Sequence, residues 1–148
     1  MVLIKVYGLD QYIVGNYSKE HTKKIADLLE CKEDEINFMS PSNMIFHKGV
    51  EQTSWHATIE IVLEEKYHAL QLNLTKYLIE TFKLFSINLH IVFNYYNPHH
   101  YFEHINKEYP LYIEDKNLVK VDEEEVAEED ITDEDKVYTG NVFKTFKK

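Results

Sequence analysis

The first eight residues, MVLIKVYG, alternate between hydrophobic positions on one side and a mixed set on the other. A period of two is typical of a half-buried strand, so we predict a strand that begins at Val2. Further strands are predicted over 35–39, over 54–63 and over 89–95. Turn residues such as the Asn97-Pro98 pair end the last of them.

The predicted strand over 54–63 has the clearest alternation of the four. Its two faces differ in chemistry, one being apolar and the other polar. The apolar face comprises Trp55, Ala57, Ile59, Ile61 and Leu63. The polar face comprises His56, Thr58 and Glu60. A face of this mixed kind meets solvent, a ligand or another subunit.

Two stretches change to the helical period of 3.6 residues. The first helix is predicted over 19–30 with Ser18 as its N-cap, because a serine hydroxyl can accept a hydrogen bond from a free backbone N–H group of the first turn. The preceding residues 8–16 are interpreted as a connection or an early helical turn. The second helix is predicted over 64–85, where apolar residues recur in steps of three and four.

The resulting order is strand, helix, strand, followed by the same order again. Each of these units predicts a parallel strand pair joined by a helical crossover. We therefore predict an α/β (α+β) fold over 1–113, a doubled β-α-β with a four-stranded mixed sheet and two helices on one face. The other face of the sheet is left uncovered.

Charge divides the chain into two regions. The formal net charge is −10, all 16 basic residues are Lys, and there is no Arg. Residues 1–113 are nearly balanced, with 14 acidic and 10 basic side chains, whereas 114–136 hold 12 acidic and 3 basic ones. We predict a second region over 114–148, an acidic extension with a short basic end.

Weak strand patterns flank the acidic run. A hairpin is predicted between 111–113 and 118–121. Residues 137–146 are interpreted either as a second short hairpin or as an appendage to a neighbouring chain. The run over 122–135 has the composition of a solvated segment. A protein-binding tail is the alternative interpretation of this extension.

Composition also bounds the partners. Nucleic acid is not expected, because Lys and Arg supply most phosphate affinity and this chain is acidic and without Arg. No apolar run approaches the roughly 20 residues of a membrane span, and no leader pattern opens the chain, so a cytoplasmic protein is expected. The single cysteine, Cys31, excludes an intramolecular disulfide. We expect no cofactor and no metal.

Several polar residues are candidates for a site. His100 and His104 are spaced i,i+4 and could bind a metal together with Glu103, but surface or interface histidines are the preferred interpretation. Glu60 shares its face with His56, and a partly buried carboxylate there could act as an acid or base, or form a cross-strand pair. Tyr101 is predicted to pack under the end of the sheet or against another protomer, and stacking on a ligand is the secondary interpretation.

Two stretches carry a family resemblance, NMIFHKGVEQTSWHATIEIVLEE over 43–65 and IVFNYYNPHHYFEHIN over 91–106. With a strand at residue 2 and a doubled β-α-β, the chain resembles the tautomerase, or macrophage migration inhibitory factor, superfamily. It is most similar to a small bacterial family of unknown function within that superfamily. The resemblance covers roughly 2–112 and implies a homotrimer with sites between neighbouring subunits.

The resemblance also implies positions for chemistry. Enzymes of the superfamily expose a proline after loss of the initiator Met and use its amine as a general base for keto–enol proton transfer. Val2 stands in place of that proline. Lys32 and Asn94 match positions that hold a lysine and an asparagine in the superfamily site. The resemblance therefore implies a catalytic set of the Val2 amine, Lys32 and Asn94. The chemistry of the residues themselves, and not the resemblance, predicts a ligand-binding set of Glu60, His56 and Tyr101.

Three functions remain open from the sequence. The leading hypothesis is a superfamily-like protein without proline-based tautomerase activity that binds a small ligand at a subunit boundary. The second is a keto–enol tautomerase that uses the Val2 amine on a small keto or enol acid. The third is an oligomeric interaction scaffold that uses the acidic tail.

Overall fold

The computed structural model describes residues 1–41 and 43–113. Alternating apolar stretches form strands, and those of helical period form helices. In chain order the main elements are β1 (Val2–Tyr7), α1 (Gln11–Leu29), β2 (Ile36–Met39), β3 (Phe46–His47), β4 (Val50–Glu51), β5 (His56–Glu64), α2 (Gln71–Phe82) and β6 (Asn88–Tyr96). Short 3-10 helices span Glu33–Glu35, Glu65–Leu70 and Pro98–His100.

The main sheet has four strands in the order β2-β1-β5-β6. β1 pairs in parallel with β2, β5 pairs in parallel with β6, and the two units meet where β1 runs antiparallel to β5. The predicted doubled β-α-β with a four-stranded mixed sheet is therefore confirmed. In this arrangement the starts of β1 and β2 and the ends of β5 and β6 lie at one end of the sheet.

One face of the sheet forms the core. Alternate residues of β1 and β5 are fully buried and join a single hydrophobic cluster with residues of both helices. Burial of each such aliphatic side chain contributes about 1.5–3 kcal/mol. The largest fully buried side chains are Tyr17, Phe82, Ile4, Ile25, Leu29, Ile59, Ile61, Leu63, Leu74, Leu78, Val2 and Val6. The opposite face, which we call the open face, carries the intervening residues.

Helix α1 begins eight residues earlier than predicted. Asp10 is its N-cap, and the Asp10 carboxylate accepts a hydrogen bond of 2.8 Å from the Tyr12 backbone N–H. The prediction of Ser18 as N-cap is wrong, because Ser18 lies inside the helix and donates to the Gly15 carbonyl at 2.7 Å. The Gly15-Asn16 pair has low helix propensity, and burial of Tyr17 outweighs it.

Two further boundaries differ from the predictions. Trp55 precedes β5 and is 58% exposed, so its assignment to the apolar face of that strand is wrong. The predicted helix over 64–85 is divided into the 3-10 helix Glu65–Leu70 and α2. Hydrophobic spacing alone does not separate these two helix types, because both bring residues three apart to similar positions.

Residues between β2 and β5 form a small hairpin of β3 and β4 around Lys48 and Gly49. Gly8, at the end of β1, has φ +79° and lies against the strand that follows the hairpin. A Cβ atom at Gly8 would be 2.4 Å from the His56 carbonyl oxygen. Glycine at this position therefore permits both the turn and the close approach.

Met1–His104 form one compact unit, and residues from Ile105 onward belong to a second. Within the second unit, the Asn106 side chain accepts a hydrogen bond of 3.0 Å from the Glu108 backbone N–H. The predicted strand over 111–113 is absent, since these residues are irregular. The predictions for 114–148 lie outside the described residues. In the described part of the chain, no helix has both the length and the apolar character to cross a membrane.

Candidate functional site

The amino end of β1 meets the carboxyl end of β6 at one end of the sheet. The α-amino group of Met1 donates to the Tyr96 hydroxyl oxygen at 3.2 Å. In return, the Tyr96 hydroxyl donates to the Met1 carbonyl oxygen at 2.9 Å. The strand register explains this contact, because Tyr96 pairs with Glu64 on β5 and the pairing of β5 with β1 continues toward Met1. We call the group formed by Met1, Tyr96, Glu64, Lys66 and Tyr101 the amine site.

Charged and aromatic side chains surround the contact. The Glu64 carboxylate binds the Lys66 ammonium at 2.9 Å, and this hydrogen bond raises the pKa of Lys66. Burial raises the pKa of the Tyr96 hydroxyl, and the negative charge of Glu64 raises it further. The Tyr101 ring packs on the Tyr96 ring with centroids 5.5 Å apart. Tyr96 is thus a neutral phenol at physiological pH, able to donate and accept.

A cavity of about 310 Å³ opens between the end of α1 and the 3-10 helix after β5. Its lining combines apolar, acidic and basic side chains. They are Leu29, Glu30, Cys31, Glu35, Lys66, Tyr67 and Leu70. Lys66 belongs to both the cavity and the amine site. The positive charge of the amino terminus acts on Cys31, whose pKa it lowers against a larger opposing effect of burial.

Tyr67 and Cys31 in this cavity are held in their protonated forms, which can donate hydrogen bonds. Burial raises the pKa of Tyr67 to about 12, with smaller contributions from the charges of Cys31 and Glu35. The Tyr67 hydroxyl donates to the Glu35 carboxylate at 3.4 Å. Burial also raises the pKa of the Cys31 thiol, and Glu35 adds to this effect. Cys31 is therefore a thiol at neutral pH, which does not suit a nucleophile.

A second polar group lies in the middle of the open face. The Glu60 carboxylate accepts hydrogen bonds from Lys5 at 3.2 Å, Tyr7 at 2.9 Å and Asn94 at 2.8 Å. The Tyr7 hydrogen bond is the largest effect on Glu60 and lowers its pKa, with Lys5 and Asn94 acting in the same direction against burial. Glu60 is therefore ionised and held by three donors.

The residues predicted as catalytic do not form one group. The Val2 side chain is fully buried in the core, while the backbone of this residue lies at the start of β1. Lys32 is exposed before β2, at the same end of the sheet, and its backbone N–H donates to the Glu35 carboxylate at 3.3 Å. Asn94 contacts Glu60 instead. The catalytic roles of these three residues remain predictions.

The residues predicted to bind a ligand are divided in the same way. Glu60 belongs to the open-face group, and Tyr101 packs on Tyr96 at the amine site. His56 lies near His90, with ring centroids 4.4 Å apart. The Tyr101 hydroxyl donates to the Glu103 carboxylate at 2.8 Å. Within the described residues there is no group of three or more His, Cys, Asp or Glu side chains that could hold a metal ion.

Sequence reasoning missed Tyr96, Glu64 and Lys66. Tyr96 lies two residues beyond Asn94 and therefore on the same sheet face. Extending the antiparallel register of β1 and β5 by two residues places Glu64 beside Met1. Tyr96 then lies beside Glu64 on the adjacent strand β6. That register depends on tertiary packing, so a single sequence does not reveal it.

A family model described as "Domain of unknown function (DUF1904)" matches residues 1–107. The chain belongs to the DUF1904 family. A solved DUF1904 structure from Sebaldella termitidis is 21% identical, covers 70% of this chain and 95% of its own, and has a TM-score of 0.57. No curated protein matches the chain.

Two other solved structures extend the likeness of this DUF1904 chain. A macrophage migration inhibitory factor-like protein from Entamoeba histolytica is 13% identical over 70% of this chain and 93% of its own, with a TM-score of 0.54. A member of the cis-3-chloroacrylic acid dehalogenase family is 13% identical over 68% and 79%, with a TM-score of 0.50. These likenesses show the fold, and they confirm the predicted resemblance to tautomerase-superfamily proteins at the level of the fold.

Proposed function

We propose that this DUF1904 protein binds a small keto or enol acid at the amine site and does so without the proline base of tautomerases. The observation that carries the proposal is the reciprocal pair of hydrogen bonds between Met1 and Tyr96. This pair holds an amino group and a neutral phenol together at a half-buried sheet end. The ammonium keeps further N–H groups that can donate to a carboxylate or carbonyl oxygen, whereas the single proton of the Tyr96 hydroxyl is donated to the Met1 carbonyl.

Three cationic groups at this end of the sheet can bind an anionic ligand, and the carboxylates of Glu64 and Glu35 lie among them. The Met1 ammonium and Lys66 are positive, and exposed Lys32 lies at the same end of the sheet. Lysine and amine donors take the place of the bidentate clamp that arginine would supply, because the chain contains no Arg. A primary amine also lacks the ring that fixes the direction of the proline nitrogen. Binding with little or no turnover is the expected behaviour.

We further propose that the protein assembles as a homotrimer through its open face. That face carries the apolar side chain of Val92, which is 47% exposed, beside the polar group around Glu60. Apolar and hydrogen-bonded polar groups together are typical of subunit interfaces. In such an assembly the amine site would lie near a subunit boundary.

The ligand test uses phenylpyruvate and 2-hydroxymuconate with the full chain. We expect saturable binding by isothermal titration calorimetry, with turnover no more than about tenfold above the buffer rate. Replacing Tyr96 by Phe removes one hydrogen-bond partner of the amine and should weaken binding by about 1 kcal/mol, or about fivefold. Tyr12→Phe, at an exposed position on α1, is the matched control. Absence of binding at millimolar ligand would reject the proposal.

A keto–enol tautomerase that uses the Val2 amine is the second candidate function. The position of the Tyr96 hydroxyl at the start of β1 favours it, because a phenol near an amine can exchange a proton with it. This mechanism requires removal of Met1, which would place the new amino group at the first residue of β1. Intact mass spectrometry decides the matter, because a retained Met1 rejects the Val2 mechanism. Rapid ketonisation of phenylpyruvate by the processed protein would support it.

The scaffold function depends on the acidic extension over 114–148, outside the described residues. Its support is the charge of that extension, 12 acidic against 3 basic residues over 114–136. Deleting 114–148 tests it by size-exclusion chromatography and pull-down. Unchanged oligomer size together with unchanged binding partners would reject a scaffold role for the extension.

A further inference from the structure

Two histidines lie side by side on the open face, remote from the amine site. His56 is the first residue of β5, and His90 is the third residue of β6. The parallel register pairs Thr58 with His90, so the two imidazoles are diagonal neighbours across adjacent strands. Their ring centroids are 4.4 Å apart and the rings are tilted by 49°.

This separation is close to that of two imidazoles bound to one metal ion. Histidine nitrogens bind transition metals at about 2.0–2.1 Å, which places the ion about 3.2 Å from each ring centroid. With an angle at the metal between about 90° and 109°, the centroids are then about 4.5–5.2 Å apart. The observed 4.4 Å is just below this range, so metal binding requires side-chain rotations that separate the rings slightly and turn one nitrogen of each toward the ion.

The pair is accessible to solvent in the single chain. His90 is exposed there and His56 is half-buried. Thr58 shares this part of the open face, and the Tyr7 hydroxyl, on the neighbouring strand, is directed to Glu60. The Glu60 carboxylate is itself held by Lys5, Tyr7 and Asn94. The chain as a whole carries a net charge of −10, which attracts cations.

We infer that His56 and His90 form a two-histidine site for a divalent transition metal of the zinc, nickel or copper class. Imidazole nitrogen suits these ions, whereas magnesium and calcium prefer oxygen ligands. No group of three or more His, Cys, Asp or Glu residues able to hold a metal occurs in the described part of the chain. Water therefore completes the coordination, and the site binds a metal reversibly.

The inference is tested by titrating Zn²⁺ and Ni²⁺ into the full-length protein at neutral pH. An excess of Mg²⁺ occupies the carboxylates of the acidic extension, because they prefer a hard cation. We expect one site per chain that either His56→Gln or His90→Gln weakens by about 100-fold, since the second imidazole binds intramolecularly. Electron paramagnetic resonance with Cu²⁺ should show two nitrogen ligands in the wild type and one in each variant.

The control is His99→Gln combined with His100→Gln, at exposed positions outside the sheet. This variant should bind Zn²⁺ as the wild type does. Circular dichroism confirms that each variant is folded, and His90→Asn provides a second substitution at the more exposed ring. Equal Zn²⁺ affinity of the wild type and the His56→Gln/His90→Gln double variant would overturn the inference, as would loss of the site in the control.

Discussion

Glu60 connects three strands through its side chain. Its carboxylate accepts from Lys5 and Tyr7 on β1 and from Asn94 on β6, while Glu60 itself lies on β5. Hydrogen bonds to an ionised group are about twice as strong as those between neutral groups. The three donors therefore stabilise the charged form of Glu60, and this explains why its pKa is lowered although partial burial acts in the opposite direction.

Replacing Glu60 by Gln should destabilise the fold. The amide keeps one acceptor oxygen but presents an NH₂ group to donors that need an acceptor. We expect a loss of about 1–3 kcal/mol in the free energy of unfolding, measured by urea denaturation. Glu65→Gln, at an exposed position, is the matched control and should change stability by less than about 0.5 kcal/mol. Similar values for both variants would contradict this account.

The stabilisation by Glu60 should also depend on pH. Because the pKa of Glu60 is lower in the folded protein, its contribution is complete above the pKa of an unfolded glutamate. It is lost as pH falls from there through the lower folded pKa. The stability difference between wild type and Glu60→Gln should therefore be largest at neutral pH and shrink under acid conditions. A difference that stays constant from neutral to acid pH would exclude this linkage.

At the scale of elements, the first helix and the turn before it show how local chemistry sets a boundary. Asp10 caps α1 because its carboxylate reaches the Tyr12 N–H, and Gly8 allows the chain to turn directly before it. Ser18 is also a good capping residue by type. Tertiary packing decides which of the two residues caps the helix. Burial of Val14 and Tyr17 keeps the chain helical before Ser18, although the Gly15-Asn16 pair has low helix propensity.

Asp10→Ala should destabilise the protein more than Ser18→Ala. Loss of an N-cap typically costs about 1 kcal/mol, whereas a serine inside a helix can be replaced by alanine at little cost. Thermal unfolding of the two variants against wild type measures the difference. A lower melting temperature for Ser18→Ala than for Asp10→Ala would show that the helix begins where the sequence alone placed it.

Two glycines with similar backbone angles allow steric strain to be separated from conformational strain. Gly8 and Gly49 have φ of +79° and +81°, but a Cβ atom at Gly8 collides with the His56 carbonyl and one at Gly49 meets open space. Gly49→Ala should cost about 1–2 kcal/mol from its backbone conformation alone. Gly8→Ala should cost clearly more by urea denaturation. Equal costs would mean that β5 moves to accommodate the added methyl group.

The sequence predicts the element order well because the spacing of hydrophobic residues shows directly which face of each strand or helix is buried. All four main-sheet strands were predicted within two residues of either end, as Val2 and Tyr96 illustrate. The amine site was not predicted, because Tyr96 reaches Met1 across β5. Contacts of this kind depend on register between distant segments, and local spacing carries no signal for them.

For the whole molecule, the uncovered face of the sheet is the surface through which we propose that the protein assembles. Helices cover one face, and the open face keeps Val92 exposed next to the polar group around Glu60. A monomer would leave these groups in water. The proposed homotrimer would bury them, and the polar group would then define how the copies align.

Val92→Lys should therefore dissociate the assembly. A lysine at the centre of an interface buries an unpaired charge, which costs several kcal/mol. We expect a trimer mass for the wild type and a monomer mass for the variant by analytical ultracentrifugation at micromolar concentration. Leu72→Lys, at a position 69% exposed on α2, is the control and should retain the wild-type mass. A monomeric wild type would reject the homotrimer.

The double hydrogen bond between Met1 and Tyr96 has a practical consequence for handling the protein. An affinity tag fused ahead of Met1 converts the amino group into a peptide amide, which has one donor and no positive charge. Ligand screens on such a fusion would test a different surface and could report a false negative. A cleavable tag that leaves residues behind has the same defect. Purification through a tag after Lys148, with the processed N-terminus checked by mass, keeps the native group available for assay.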